Sequence, residues 1–350
     1  MNRALEALRA AAPRLLAVPV ALAVGLVLLW VADAPPLDTV RHLLQGSLGG
    51  QQRIGDTLMV WAPLALACAA LILTFTAGLW NIGVEGQIIA GAIAASWVAR
   101  ELSAPPTVVL SAMLAAGALG GAAWAGLLGV LNVRGGVHEI FGGLGLTFVA
   151  TGAVIYLVLG PWKRPGIAST SGTEPFDAAA WFPTLGALRV SPLAVGLGVL
   201  AVVAVYLVLR GTRFGLRLRA TGQGRAAAAR LGIPTDRYLM YAFLLSGAIA
   251  GTAGAVLVGA QHHKLVPSVS GGYGFLGILV VLLAGYRMAW AAPIAFFFAM
   301  IASGGVQLQL RLDLHSSLGG VFQGVLVLSV LLAGGWQALR ARRREAAARA

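Results

Sequence analysis

The chain has 350 residues, of which 59% are hydrophobic and 11% charged, and it carries a formal net charge of +13. Soluble domains carry about 25% charged residues, so a water-facing globule is excluded. Only two of the 25 basic residues are lysines, Lys163 and Lys264, and the arginines sit beside apolar runs, a pattern of membrane topology rather than nucleic-acid binding.

Apolar runs of about 20 residues read as transmembrane helices, because a 1.5 Å rise per residue then crosses a roughly 30 Å hydrocarbon core. The first run covers residues 15–32 and follows Arg3, Arg9 and Arg14. A signal peptide has a similar start, but this run is long for a signal core and more spans follow, so it reads as a first helix. Further runs cover 58–77, 87–99, 108–131, 141–159, 192–209, 239–260, 275–284, 291–308 and 318–335. Runs such as 193–209 are apolar all round, without the alternation of a membrane β-barrel. The predicted fold is all-α and polytopic, with about ten transmembrane helices. Two of them, 87–99 and 275–284, are short and follow glycine-rich segments, as broken helices in two inverted-repeat halves would.

Charge sets the expected sidedness. The segment 210–238 holds Arg210, Arg213, Arg217, Arg219, Arg225, Arg230 and Arg237 against Asp236, and the C-terminal tail is also arginine-rich. The segments assigned to the other side mix signs, as in Lys163, Arg164, Glu174, Asp177 and Arg189. Positive-inside then places both termini and the 210–238 loop in the cytoplasm of a bacterial inner membrane. The stretch 160–191 becomes an external loop, whose Phe176, Trp181 and Phe182 suit either a short interfacial helix or a plain connector.

Three segments are candidates for function. Residues 78–87 set Asn81, Glu85 and Gln87 among glycines and Trp80 between two spans. An intramembrane carboxylate is costly and marks a functional candidate; equally, Glu85 could hydrogen-bond helix N-terminal N–H groups. Residues 271–277 place Tyr273 and Phe275 among glycines, able to stack on a flat substrate ring or simply to pack. Charge counting puts the first segment near the cytoplasm and the second near the outside. The third segment, 219–234, predicts a short exposed helix through Ala226, Ala227, Ala228 and Ala229, begun by Thr221 or Gln223 and ended by Gly232 and Pro234. Its small-residue face suits a groove on a cytoplasmic partner, although its arginines could equally lie at anionic headgroups.

Neither lysine follows a glycine-rich phosphate loop, so the chain carries no ATP site of that kind. His262 and His263 are adjacent and lack further ligands for a metal. No nucleophile or zinc-hydrolase motif is present, and no cofactor is implied.

These segments, in this order, resemble the permease family of bacterial ABC importers for simple sugars, branched-chain amino acids and nucleosides. The resemblance rests on residues 78–87, Gly136-Val137-His138-Glu139-Ile140, the loop 219–233, the run from Ser246 to Gly254, Gly272-Tyr273-Gly274-Phe275, and Leu282-Leu283-Ala284-Gly285. The Val-His-Glu and Tyr-Gly-Phe pieces look most similar to nucleoside-type permeases; sugar or branched-chain amino-acid transport is the alternative, and an ion-coupled secondary transporter is the rival class. The resemblance implies one permease domain over 1–350, with a core near 57–335, an added N-terminal helix and external loop at 1–56, and a basic tail at 336–350. It implies no catalysis by this chain. Partners would be a cytoplasmic ATP-binding subunit, a second permease chain, identical or homologous, an extracytoplasmic substrate-binding protein and membrane lipid. Trp80, Asn81, Glu85, Gln87, Tyr273 and Phe275 would face the substrate pathway. Arg219, Gly222, Ala226, Ala227, Ala228, Ala229 and Gly232 would belong to the coupling loop.

Overall fold

A computed structural model describes residues 36–164, 166, 171–312 and the isolated positions 320, 324 and 328. Apart from one bridge between Leu185 and Val190, the regular elements among the described residues are helical. In chain order they are α1 (Pro36–Leu48), α2 (Gln51–Thr76), α3 (Val84–Glu101), α4 (Pro106–Val133), α5 (Glu139–Leu159), α6 (Pro192–Gly211), α7 (Arg213–Gln223), α8 (Arg225–Arg230), α9 (Thr235–Val256), α10 (Tyr273–Leu283) and α11 (Met288–Leu312).

Among the described residues, six helical segments are long and apolar enough to cross a membrane: α2, α4, α5, α6, α9 with its π-helical continuation to His262, and α11 as far as Gly305. They coincide with six of the expected spans. The two short spans appear as α3 and α10. The first is longer than expected, at 18 residues, because Val84, Glu85 and Gly86 are wound into its opening turn and Arg100 and Glu101 extend its end; the second has only 11 residues. The expected spans 15–32 and 318–335 lie outside the described residues, apart from the three isolated positions. α1, inside what read as a loop, was not anticipated: its apolar residues are too few for a span, and its helix is amphipathic.

The chain divides into two compact units, Gly55–Ala299 and the segments flanking it. In the flanking unit, Gly304 of α11 lies against the Leu43 carbonyl of α1, where a Cβ would not fit. The larger unit is built around α3, α4 and α9. Their shared seam is glycine on glycine: Gly91 of α3 meets Gly251 of α9, and Gly117 and Gly121 of α4 meet Gly251 and Gly247. A Cβ at Gly91, Gly121 or Gly251 would overlap the facing backbone. In lipid no hydrophobic force drives helices together, so such close van der Waals packing supplies the attraction.

Helix boundaries follow from local chemistry. Pro106 and Pro192 occupy first-turn positions that need no N–H donor. Ser191 accepts from the Ala194 N–H to start α6, and Thr212 accepts from the Gly215 N–H to start α7.

Connections in this unit gather at two ends. At one, Gly78 touches Gly222, Trp80 meets Glu139, and Phe75 packs on Tyr286. At the other, Gln261 donates to the Met59 carbonyl, Arg100 lies over the Trp162 ring at 5.0 Å, and Thr173 pairs with Leu265. The loop around Trp181 is not an interfacial helix. It forms a single 3-10 turn at Ala178–Ala180 and is strapped to the chain after α9: Phe176 N–H donates to the His263 carbonyl at 2.8 Å and Phe182 N–H to the Gly259 carbonyl at 2.9 Å. Those backbone bonds hold Phe176 and Phe182 inward, while Trp181, 43% exposed, stacks on His263 at 4.4 Å.

Candidate functional site at the two broken helices

The two glycine-rich segments, expected near opposite faces, meet. Glu85 Oε2 accepts from the Gly274 N–H at 2.7 Å, and Oε1 accepts from the Gly272 N–H at 3.1 Å. The Ser270 hydroxyl lies beside the same carboxylate. These N–H groups belong to the start of α10 and have no intrahelical acceptors, so a carboxylate from another helix caps it, favourably placed at the positive end of the helix dipole. Charge counting missed this because it treats each apolar run as a full crossing, whereas the 11 residues of α10 rise only about 16 Å, about half of a roughly 30 Å hydrocarbon core. Gly274 is required there, since a Cβ would strike the Glu85 backbone and carboxylate.

Asn81 and Gln87 form a second polar knot. Asn81 Nδ2 donates to Gln87 Oε1 at 3.2 Å and to Ser246 Oγ at 3.1 Å; Gln87 Nε2 donates back to Asn81 Oδ1 at 3.0 Å. All three side chains are fully or almost fully buried. Mutual pairing satisfies polar groups that would be expensive to bury alone. Ser246 stood within the glycine-rich run of α9, but nothing in its spacing showed that it would complete this knot.

The aromatics differ in position. Trp80 is 43% exposed and packs on Phe75, with ring centroids 5.4 Å apart, while Phe275 is also 43% exposed. The Tyr273 hydroxyl lies beside Gln261, a residue that the sequence did not single out. Trp80 N–H donates to Glu139 Oε1 at 3.3 Å, and Asn132 Nδ2 donates to Glu139 Oε2 at the same distance. The Val-His-Glu piece thus works as a fastener: His138 caps α5 through the Ile140 N–H, and Glu139 reaches across to the 78–87 segment.

The segment expected to couple to a cytoplasmic partner is two helices rather than one. The expected start at Thr221 or Gln223 belongs to the end of α7; Gly224 has extended backbone and breaks the helix, so α8 starts at Arg225. Gly232, at φ +77°, follows α8, and Pro234 is the N-cap of α9. Ala226, Ala227 and Ala229 are exposed and Ala228 is buried. Arg219 donates to the Leu209 and Gly215 carbonyls, closing the C-terminal end of α6. Gly222 presses on the backbone of Thr76, Ala77 and Gly78 with no room for a side chain. Beside that contact, a polar cleft of about 250 Å³ is lined by Asn132, Glu139, Thr221 and Arg225.

Residues 53–331 match the family described as branched-chain amino acid transport system / permease component. The chain belongs to this permease family. The permease is 32% identical over 326 residues to the glucose ABC transporter permease protein of Haloferax volcanii, covering 90% of this chain and 86% of that relative. It is 26% identical over 329 residues to the guanosine ABC transporter permease protein of Bacillus subtilis, at 90% and 91% coverage. It is also 26% identical over 299 residues to the nucleoside ABC transporter permease protein of Lactococcus lactis, at 83% and 82%. No solved structure matches it. The permease is therefore a multi-pass membrane protein of ABC transport.

Proposed function

We propose that this permease lines the import pathway for nucleosides or related purine compounds in an ATP-binding-cassette importer. It would sit in a bacterial inner membrane with about ten crossings and both termini cytoplasmic, and with the two short-helix halves related as an inverted repeat. Its partners would be a cytoplasmic ATP-binding subunit, a second permease chain and an extracytoplasmic substrate-binding protein. The reading is carried by one observation: the arginine-bearing loop presents an exposed alanine face on α8 while its neighbour Gly222 bears directly on the segment that opens the broken helix α3.

In this mechanism the ATPase closes on ATP, moves α8, and shifts α7 with it. The Gly222 contact passes that movement to residues 77–83 and so to Trp80. Trp80 and Phe275, with aromatic surface free, are the residues that substrate rings would meet, and Tyr273 stands beside them. Glu85, Asn81 and Gln87 frame the pathway by holding the helix starts. The cavity then opens alternately to either side.

Sugar transport is the second reading, favoured by the similarity to a glucose permease. Uptake of labelled guanosine, adenosine, glucose and ribose into cells expressing the complete transporter separates the two. Nucleoside accumulation that unlabelled glucose does not reduce is expected; sugar accumulation alone replaces the substrate assignment. Labelling of a Gly224→Cys variant from inside only is expected, and labelling from outside overturns the whole scheme.

A further inference from the structure

A second cleft, of about 250 Å³, opens where the ends of α2 and α6 meet α7 and the connection from α10 to α11. Three arginines from separate parts of the chain converge on it: Arg210 at the last turn of α6, Arg219 of α7, and Arg287 between α10 and α11. Among the described residues no carboxylate lines it. Like charges gathered without an acid repel one another, and the cleft is therefore poised for an anion.

The three cations are held differently. Arg210 lies over the Tyr206 ring at 5.2 Å from the centroid and also bonds the Tyr206 hydroxyl, which orients it toward the cleft. Arg219 is fixed by two backbone carbonyls. The Arg287 guanidinium makes no hydrogen bond or ion pair among the described residues, leaving its donors free. The walls are apolar (Ile72, Leu209 and Met288), and the rim carries Tyr286 and Trp290, 47% and 58% exposed.

We propose that this cleft is a binding site for the phosphate-bearing headgroup of an anionic phospholipid. Guanidinium groups match phosphate oxygens in geometry and charge. Tyrosine and tryptophan mark the headgroup level of a bilayer, and basic pockets between transmembrane helices recognise acidic headgroups. The exposed Val199 and Val203 of α6, seven and three residues before Tyr206, share its helix face and offer a surface for an acyl chain. A free phosphate ion shares the headgroup chemistry but has no use for the apolar wall. Because Arg219 and Arg210 belong to the two helices of the α6–α7 corner, a bound lipid braces the base of the coupling loop.

The test is native mass spectrometry of the detergent-purified full chain with added phosphatidylglycerol, phosphatidylcholine or inorganic phosphate. Retention of phosphatidylglycerol above phosphatidylcholine is expected. It should fall by about fivefold for each arginine removed in Arg210→Gln and Arg287→Gln, and not at all in Arg230→Gln, a charge change on α8 outside the cleft. Arg287→Glu alone provides a variant at an exposed side chain whose folding is not at issue, and it should lose phosphatidylglycerol most sharply. Equal retention of the two lipids, unchanged retention in Arg287→Glu, or binding of inorganic phosphate that displaces phosphatidylglycerol overturns the proposal.

Discussion

The carboxylate of Glu85 and the backbone N–H of Gly274 lie 2.7 Å apart across 189 residues of chain, joining the starts of two interrupted helices. The interaction explains why a costly acid is kept between membrane spans: it accepts from the Gly272 and Gly274 N–H groups at the start of a helix, which have no intrahelical acceptor. An ion-coupled carrier would need that acid to exchange protons, whereas here it has a standing structural partner.

Glu85→Ala should strand the Gly272 and Gly274 N–H groups and cost about 1–3 kcal/mol for each buried donor left unpaired. Thermal unfolding of the purified chain reads this loss. Glu85→Gln keeps a carbonyl acceptor and should destabilise less, with ATP-driven uptake retained; complete loss of uptake at unchanged stability would favour the ion-coupled alternative.

The amide knot predicts strong non-additivity. Asn81→Ala and Gln87→Ala each leave a buried partner unsatisfied, and the double variant should cost clearly less than their sum, with an interaction energy of about 1 kcal/mol or more. A double-mutant cycle by denaturant or thermal unfolding measures it. Additive losses would remove the pairing as the reason for their burial.

Glycines in the α3–α4–α9 seam should tolerate nothing larger. Gly251→Ala must push two helices apart, a strain of about 1–3 kcal/mol or more. Gly152→Ala on α5 and Gly196→Ala on α6 face open space and should stay within about 0.5 kcal/mol of the parent. A thermal-shift comparison of the three variants checks the contrast.

On α8, neighbouring alanines should behave oppositely. Ala227→Glu, at an exposed site, should leave stability within about 0.5 kcal/mol and abolish stimulation of the partner ATPase. Ala228→Glu, at a site only 2% exposed, should destabilise the loop itself. ATPase assays paired with unfolding curves distinguish them, and unimpaired coupling in Ala227→Glu would move the docking face elsewhere.

Apolar length and arginine placement made the long helices legible, since both depend on local composition. The spans of α2, α4, α5, α6, α9 and α11 fell close to their expected positions for that reason. The polar residues of 78–87 were also visible as candidates. Their partners were not: Ser246, Glu139 and the Gly272 and Gly274 N–H groups lie 59 to 189 residues away in sequence, and no periodicity encodes pairing across that distance. The break at Gly224 escaped notice because the alanine run after it has high helix propensity, which masks where the helix begins. Composition leaves the interfacial-helix and plain-connector readings of the 171–182 loop equally open, because interfacial and strapped aromatics share it.

The glycine seam has a mechanical corollary. Helices whose backbones touch have no side chains between them to repack, so α3, α4 and α9 can neither slide nor tilt separately without losing the contacts that associate them. They form a stator. Movement during a transport cycle then falls to the parts attached at its margins, the turn through residues 77–83 and the half-length α10, which hangs from the stator by the Glu85 anchor and can swing about it.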